Sequence, residues 1–523
     1  MIHSSSFTRL YFVLAILLAF GLHESARAQT QSESGNKAAA PAAAPTESAP
    51  MQIKPQINSA DQPNQIELLR KQIEQLQGLL EQQQLSLAEM QKQLIELKAR
   101  GSFVQASLSS TSDVINAKAE RDAADRSPVS GQTTGEKQTG PQKVPVVAGW
   151  DGNHAFLRST DGNFETLFTG YAQLDFRGYA AGIHPANTFV LRRARLALEG
   201  KLFRYFDYKV EGDFADTSST LLRDAYVRVH RLDQFQMTFG QFKEPFSQEE
   251  LRSDAVQDFV ERSLVNNLAP SRSPGLMFSG VLHKGVFEYQ LGAFNGKGLL
   301  AANTSGTPET VARLRISPWK NSDSFWLKGL VVGGASAYGR GTGGTSVRGQ
   351  TERRSISFFT PDTINGSIVR ANGELTWIVG PAALRAEYDQ TNQDRRGLGP
   401  KGTTLPGIVA KGYTGQFTYL LTGEHKTDVG SVTPRRNLFG DEKSGAGSGA
   451  WELKFRYSNL RISDGTAKSN RAETFYFGPN WYLNKFVRYV LDFGVERYSD
   501  LLRTPKAGQG SFFVVLSRVQ FAF

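Results

Sequence analysis

The last twelve residues, 512–523, read FFVVLSRVQFAF, and their alternate positions differ in polarity. One set of positions is apolar: Phe513, Val515, Val519, Phe521 and Phe523. The other set includes Arg518 and Gln520. A period of two residues with one apolar and one polar face predicts a β-strand that has water on one side only. An aromatic residue that ends an amphipathic strand is what the outer-membrane assembly machinery commonly recognises, so we expect Phe523 to contact that machinery.

The same alternation recurs earlier in the chain. It is clearest in residues 312–316 (ARLRI), 384–389 (LRAEYD) and 451–457 (WELKFRY). A soluble β-sandwich also alternates, but aromatic pairs near strand ends, at residues 476–477 and 481–482, favour interfacial girdles. The connections between these segments are alternately short and long, which also favours a membrane barrel. Residues 150–523 provide enough chain for about 16 membrane strands. The sequence therefore predicts an all-β fold, a 16-stranded antiparallel transmembrane β-barrel wide enough for an aqueous channel.

The first 28 residues have the pattern of a secretory signal peptide. Arg9 precedes an apolar run at residues 10–20, and Ala26-Arg27-Ala28 fits the small-x-small cleavage rule. The apolar run is shorter than the roughly 20 residues that a spanning helix needs, so an uncleaved anchor is the less favoured alternative. We expect export to the outer membrane of a Gram-negative type of cell. The absence of cysteine excludes disulfides and thiolate sites.

A helical region precedes the barrel. Residues 64–100 carry apolar side chains at alternate steps of three and four, the spacing of a coiled coil. These positions are Ile66, Leu69, Ile73, Leu76, Leu80, Leu87, Met90, Leu94 and Leu97. We predict a trimerising α-helical coiled coil in the periplasm; one amphipathic helix lying on its own domain is the alternative. Residues 29–63 and 101–149 are rich in small and polar residues and are predicted to be linkers, the first of them disordered.

The excess of positive charge lies in the barrel. The formal net charge is +10, and because 14 Lys/Arg and 14 Asp/Glu precede Trp150, the whole excess follows it. A basic domain attracts nucleic acid, membrane surfaces or small anions, and export argues against nucleic acid. The strand phase predicts these basic lumen residues: Arg193, Arg195, Arg228, Arg313, Arg315, Arg385, Lys454, Arg456 and Arg518. Arginines along a pore would attract anions, unless they pair with acids on neighbouring strands.

A long interruption of the strand pattern begins near residue 239. Residues 248–262 have helical spacing and are rich in charge. We expect this insert to fold into the pore as a constriction loop, with an external loop on the rim as the alternative. The predicted constriction residues are Lys243, Glu249, Glu250 and Arg252.

Short motifs in residues 165–523 resemble those of the phosphate-selective porin O/P family of Gram-negative outer membranes. In order along the chain they are 170–175 (GYAQLD), 191–194 (LRRA), 239–242 (FGQF), 261–262 (ER), 292–296 (GAFNG), 420–424 (LLTGE), 449–453 (GAWEL), 456–457 (RY) and 478–484 (GPNWYLN). Each motif is weak alone, but the ordered set is specific. The resemblance implies a 16-stranded homotrimer with an arginine-lined path and a narrow inward loop.

The resemblance also assigns individual residues. Arg192 and Arg193 match paired arginines of the anion ladder of the family, and Arg262 matches another of its basic residues. Three departures follow. Tyr171 stands where the family has an arginine, Arg223 replaces an acidic residue, and Glu249 and Glu250 replace constriction-loop lysines. A porin is still implied, but strict phosphate selectivity is not.

The sequence therefore favours a trimeric outer-membrane porin, embedded in lipid, for passive diffusion of small, phosphate-like anions. The alternative is a general or differently selective porin of the same fold, with the coiled coil acting as a periplasmic tether. An enzyme on a barrel is disfavoured, because no nucleophile elbow, metal pair or phosphate-cradling glycine motif occurs in a suitable context. No catalytic residue, cofactor or metal site is predicted.

Overall fold

A computed structural model describes residues 144–179, 183, 185–215, 221–354, 356–440, 445–465 and 470–523. The predicted signal peptide, coiled coil and first linker lie outside the described residues, as does most of the second linker. In the described part no helix is long and apolar enough to cross a membrane.

The described residues form twenty strands, and sixteen of them make a closed antiparallel barrel, which confirms the predicted barrel. In chain order the strands are β1 (Val146–Trp150), β2 (Ala155–Ser159), β3 (Phe164–Tyr179), β4 (Thr188–Leu202), β5 (Phe206–Asp213), β6 (Leu222–Leu232), β7 (Phe235–Lys243), β8 (Arg272–Leu282), β9 (Phe287–Phe294), β10 (Glu309–Ile316), β11 (Leu330–Thr345), β12 (Gly349–Gln350), β13 (Ser357–Phe359), β14 (Thr363–Val379), β15 (Ala382–Arg395), β16 (Leu405–Leu420), β17 (Ala450–Ser463), β18 (Asn470–Tyr482), β19 (Val487–Tyr498) and β20 (Ser511–Ala522). The barrel comprises β3 to β11 and β14 to β20, each paired with its neighbour, and β20 closes it against β3.

The other elements are short. The one α-helix in the described part, α1, spans Gln248–Leu251. Single 3-10 turns span Asp254–Val256, Leu264–Asn267, His283–Gly285 and Pro400–Gly402. The strands β12 and β13 pair only with each other. The hairpin of β1 and β2 pairs with the beginning of β3, beside the point where the backbone of Phe523 hydrogen-bonds to Gly170.

The alternation along β20 sorts side chains between the two faces of the wall as predicted. Phe513, Val519 and Phe521 are about half exposed on the outside, whereas Arg518 and Gln520 are buried on the inside. Because the outside would otherwise present apolar groups to water, this face suits contact with lipid.

Three connections fold into the barrel. Loop A (residues 244–271) and loop B (described at residues 346–354 and 356–362) enter from the end where β3 finishes, and segment C (described at residues 421–440 and 445–449) enters from the end where β20 finishes. Loop A crosses to the far wall, where the amide of Val260 donates to Asp492 at 2.8 Å. The predicted inward position of the insert is therefore what the structure has. The residues with helical spacing form only short helical turns, because the backbone is extended at Arg252 and Gln257 between these turns.

An apolar cluster inside the barrel holds loops A and B against the wall. Loop A contributes Phe259, Val260, Leu264 and Leu268, loop B contributes Val347, Phe358 and Phe359, and the wall contributes Leu460, Ile462, Val490, Val514 and Leu516. Burial of this apolar surface stabilises the docked loops independently of their charges.

Candidate functional site

A β-bulge places two consecutive arginines on the inner face of the wall. Gln173 on β3 pairs with Arg193, and the next residue, Leu174, pairs with Leu191, so Arg192 is the extra residue. A regular strand would turn Arg192 toward lipid, but a bulge re-aims a side chain. The Arg192 guanidinium instead lies 2.6 Å from the Glu261 carboxylate of loop A.

Asp254 of loop A lies in a cage of arginines. Its carboxylate is 3.1 Å from the guanidinium of Arg193, 3.0 Å from that of Arg195 and 2.5 Å from that of Arg262. Its backbone carbonyl also accepts a hydrogen bond from the side chain of Gln173 at 3.0 Å. Although burial raises the pKa of Asp254, these guanidiniums hold it well below its usual range. Asp254 is therefore a carboxylate at neutral pH.

Glu261, seven residues further along loop A, lies in a second cage. Five guanidiniums lie within 4 Å of its carboxylate: those of Arg177 at 2.5 Å, Arg192 at 2.6 Å, Arg354 at 3.3 Å, Arg193 at 3.8 Å and Arg518 at 3.9 Å. Burial raises the pKa of Glu261, but the arginines outweigh it and lower the pKa well below its usual range. Arg193 contacts both carboxylates, so the two cages are continuous.

Asp258 lies between them in the chain and binds a different part of the wall. Lys426 of segment C lies 2.6 Å from it, and Arg252 and Arg385 each lie 3.2 Å from it. Lys426 also contacts Glu452 on β17. Thus loop A is held by charge on both sides of the lumen.

The remaining predicted arginines lie on the inner face and have carboxylate or polar partners. Arg313 lies 2.7 Å from Glu374, and Arg518 lies 2.6 Å from Asp175. The other contacts are Arg315 with Glu288 and Asp428 at 3.1 Å, Arg456 with Glu352 at 3.5 Å and Glu249 at 3.6 Å, and Arg228 with the Thr238 hydroxyl at 3.3 Å.

The predicted constriction residues pair mainly within loop A. The Lys243 ammonium donates to the carbonyls of Glu250 and Arg252 at 2.5 and 3.0 Å, at the end of α1. Glu249 accepts from the amide of Ser263 at 2.9 Å. Glu250 lies 3.4 Å from Arg262. These residues therefore mainly shape the loop, although Glu249 also contacts the wall at Arg456, and the amide of Glu249 donates to Glu387 at 3.1 Å.

Three cations on the wall formed by β4 to β6 keep some access to water, and each has a carboxylate within 4 Å: Arg192 has Glu261, Lys209 has Glu199 and Glu211, and Arg223 has Asp213. Side-chain exposure is 25% for Arg192, 22% for Lys209 and 14% for Arg223. Arg223 is, like Arg192, the extra residue of a bulge, because Glu211 pairs with Asp224 and Gly212 with Leu222. Sequence reasoning missed Lys209 as a lumen residue, and Arg177 and Arg354 as partners of Glu261. Strand parity could have identified Lys209.

The arrangement is suited to electrostatic guidance of solutes. In the described residues no group of three or more His, Cys, Asp or Glu side chains is placed to hold a metal ion. The predicted coiled-coil positions, from Ile66 to Leu97, lie outside the described residues.

Comparison with known proteins gives one family. The model of the family described as phosphate-selective porin O and P matches residues 168–523. Porin O of Pseudomonas aeruginosa is 22% identical over 423 residues, covering 70% of this chain and 90% of that protein. This family consists of porins and not of enzymes.

Solved outer-membrane proteins are similar in structure. A loop-deletion mutant of OmpT of Vibrio cholerae is 12% identical with a TM-score of 0.45, covering 69% of this chain and 100% of that one. The outer-membrane channel DcaP of Acinetobacter baumannii is 12% identical with a TM-score of 0.44, covering 70% and 99%. An anion-selective porin from Comamonas acidovorans is 12% identical with a TM-score of 0.42, covering 68% and 99%.

Proposed function

Because the chain belongs to the phosphate-selective porin O and P family of outer-membrane porins, we propose that it forms a homotrimer through which small anions diffuse passively, phosphate or related anions among them. The observation that carries the proposal is the basic stripe of Arg192, Lys209 and Arg223 on one wall of the lumen, whose side chains stay partly exposed to water beside their carboxylate partners. Fixed positive charge beside an aqueous path concentrates anions and repels cations.

The direct test is the reversal potential of the purified full chain in a planar bilayer under a potassium chloride gradient. We expect chloride to be more permeant than potassium. This preference should decrease at high salt, because salt screens the exposed charges, already within about 10 Å at 0.1 M. A preference for potassium would overturn the anion proposal and leave the family membership intact.

A general or differently selective porin of the same fold is the second candidate. It is favoured by the pairing of Arg193, Arg195 and Arg262 with the loop carboxylate Asp254, since paired arginines offer less charge to a solute. Titration of phosphate into a chloride-conducting channel separates the two candidates. Block at low phosphate supports a phosphate pore, and its absence supports a general anion pore.

We propose that the trimer is fastened at two levels. Residues 64–100 would form a periplasmic three-stranded coiled coil, and outward apolar side chains would meet at the barrel. On the outer wall a groove of about 670 Å³ is lined by Phe168, Leu196, Leu198, Val210 and Phe214, among others.

Deletion of residues 29–149 tests this proposed arrangement of the trimer. Trimers that persist would assign subunit contact to the barrel and a tethering role to the coiled coil, and monomers would make the coiled coil the clamp.

A further inference from the structure

Three arginines of the cages depend on loop A for their carboxylate partners. Among the described residues, the carboxylate contacts of Arg192 and Arg354 are with Glu261, and those of Arg193 are with Asp254 and Glu261. Arg177, Arg195 and Arg518 also have acids on the wall, such as Asp175 for Arg177 and Arg518. Arg262 belongs to loop A itself and also pairs with Glu250 of that loop. Without the two loop carboxylates, three neighbouring guanidiniums would face the lumen together.

We infer that Asp254 and Glu261 act as built-in ligands that occupy an arginine-lined binding site for a small oxyanion of the phosphate class. This inference deepens the proposed function and rests on it for its physiological meaning. It assigns loop A a second role besides narrowing the lumen: it lowers the affinity of the pore for anions that would otherwise bind there.

The chemistry of the cages supports this role. A guanidinium presents parallel N–H donors that fit two oxygens of a carboxylate or of a phosphate equally well. The five guanidiniums around Glu261 share three carboxylates, Glu261, Asp254 and Asp175, so positive charge remains in excess. The several oxygens and higher charge of a phosphate would match them better than one carboxylate does. The carboxylates of Asp254 and Glu261 are almost completely buried, so they have replaced solvent around the arginines.

Covalent attachment makes these ligands effective competitors. A group on a short tether acts at an effective concentration in the millimolar range or above. A free anion of similar affinity must therefore be present at a higher concentration to displace it. Weak competition of this kind lets anions pass without being held, which suits a pore whose solutes must leave as readily as they enter.

Loop A has anchors that do not involve the cages. Phe259 and Leu264 lie in the apolar cluster, and Asp258 binds Lys426 and Arg385. Replacing the charge of Glu261 by an isosteric amide therefore leaves the loop docked while removing the counter-charge of Arg192 and Arg354, and it leaves Arg193 with Asp254 alone. The variant Glu261→Gln separates the electrostatic role from the steric one.

The experiment compares the full-length wild type, Glu261→Gln and Asp254→Asn in planar bilayers at pH 7, with inorganic phosphate titrated into potassium chloride. We expect Glu261→Gln to show saturable block at a phosphate concentration at least tenfold below that needed for the wild type, and Asp254→Asn to shift in the same direction. Glu244→Gln is the matched control, since Glu244 also belongs to loop A but has no Lys or Arg within 4 Å in the described part of the chain. It should leave the phosphate dependence unchanged.

Two further measurements decide between explanations. Adding Arg192→Gln to Glu261→Gln should abolish the gained affinity, which a general loosening of the loop would not do. Calorimetric titration of phosphate into the detergent-solubilised protein detects the site without any assumption about transport. Larger conductance without phosphate block in a folded Glu261→Gln trimer would overturn the inference. A wild type that prefers cations would defeat the proposed anion pore, whereas the arginine-dependent gain in phosphate binding would still be measured.

Discussion

The ammonium group of Lys426 lies 2.6 Å from the Asp258 carboxylate, so two segments that enter the barrel from opposite ends meet inside it. Segment C supplies the lysine and loop A the aspartate. The same ammonium contacts Glu452 on the wall, and Arg252 and Arg385 also contact Asp258, so the five groups form a buried ion cluster. Burial raises the pKa of Asp258, but Lys426, Arg252 and Arg385 lower it well below its usual range.

We predict that Lys426→Gln destabilises the barrel, because Glu452 then remains buried without its cation. Removing one partner of a buried ion pair typically costs about 3–5 kcal/mol. The free energy of unfolding in urea, measured in detergent or lipid, checks this value. The double variant Lys426→Gln with Glu452→Gln should recover part of the loss, since the orphaned charge is gone. Lys401→Gln, at an exposed turn, is the control. An equal loss in the single and double variants would contradict the ion-cluster explanation.

The second prediction concerns the exposed basic stripe. Arg223→Gln and Lys209→Gln should each lower the ratio of chloride to potassium permeability by about fivefold, because a unit charge a few ångströms from a hydrated ion contributes about 1 kcal/mol. Reversal potentials at low salt measure the ratio. Arg396→Gln is the control, because Arg396 lies directly after β15, is exposed and is paired with Asp394. This variant should have little effect on the permeability ratio. Unchanged selectivity in both stripe variants would mean that the solute path lies along another wall.

Much of the barrel could be predicted because a two-residue period reports which side each residue faces. Arg518 and Phe521 lie on the faces that their parity indicates. The strand number followed from chain length, since a membrane strand has a narrow range of lengths.

The alternation of polarity along a strand does not indicate which side chains face the lumen where both faces of the strand are apolar. Val514 and Leu516 face the lumen, yet they are apolar because loops A and B cover them. The sequence of β20 alone does not reveal this, since the covering residues lie more than 150 positions earlier in the chain. Parity also fails at a bulge, and only the resemblance to the porin family placed Arg192 in the ladder.

The partners of the predicted arginines could not be derived either. Glu261 gathers arginines from β3, β4, β20 and loop B, and these elements are brought together only by closure of the barrel and docking of both loops. Which acids neutralise which arginines sets the distribution of charge along the lumen, and a single sequence does not reveal it.

The third prediction is a loss of loop B docking at alkaline pH. Glu352 is buried, and burial together with the charge of Glu496 raises its pKa to about 8 despite the nearby Arg456. Because a carboxyl with a raised pKa binds its proton more tightly in the folded state, docking is most stable below about pH 4.5. It weakens as the pH rises toward 8, and the full penalty is present above that value.

Protease cleavage at Arg353 or Arg354 should therefore accelerate between pH 7 and 9 more than the intrinsic activity of the protease does. Glu352→Gln, which imitates the protonated form, should remove the extra acceleration. Glu244→Gln provides the comparison, because burial and Glu309 also raise the pKa of Glu244 to about 8, but Glu244 lies in loop A. If Glu244→Gln and not Glu352→Gln abolished the pH dependence, the alkaline transition would belong to loop A.

The last prediction comes from two adjacent carboxylates on β15. The side-chain amide of Asn372 donates to Asp389 at 2.6 Å and to Glu387 at 3.0 Å, and in the described structure neither acid has a lysine, arginine or histidine nitrogen within 4 Å. The second oxygen of Asp389 is buried and has no hydrogen-bond partner among the described residues.

Burying a charge without a counter-charge costs free energy, so Asp389→Asn should raise the free energy of unfolding in urea by about 1–3 kcal/mol at pH 7.5. Asp323→Asn, at an exposed position between β10 and β11, should change stability by less than about 0.5 kcal/mol. A loss of stability in Asp389→Asn would show that the carboxylate is needed in its charged form, and the assignment of Asp389 as an uncompensated charge would then be wrong.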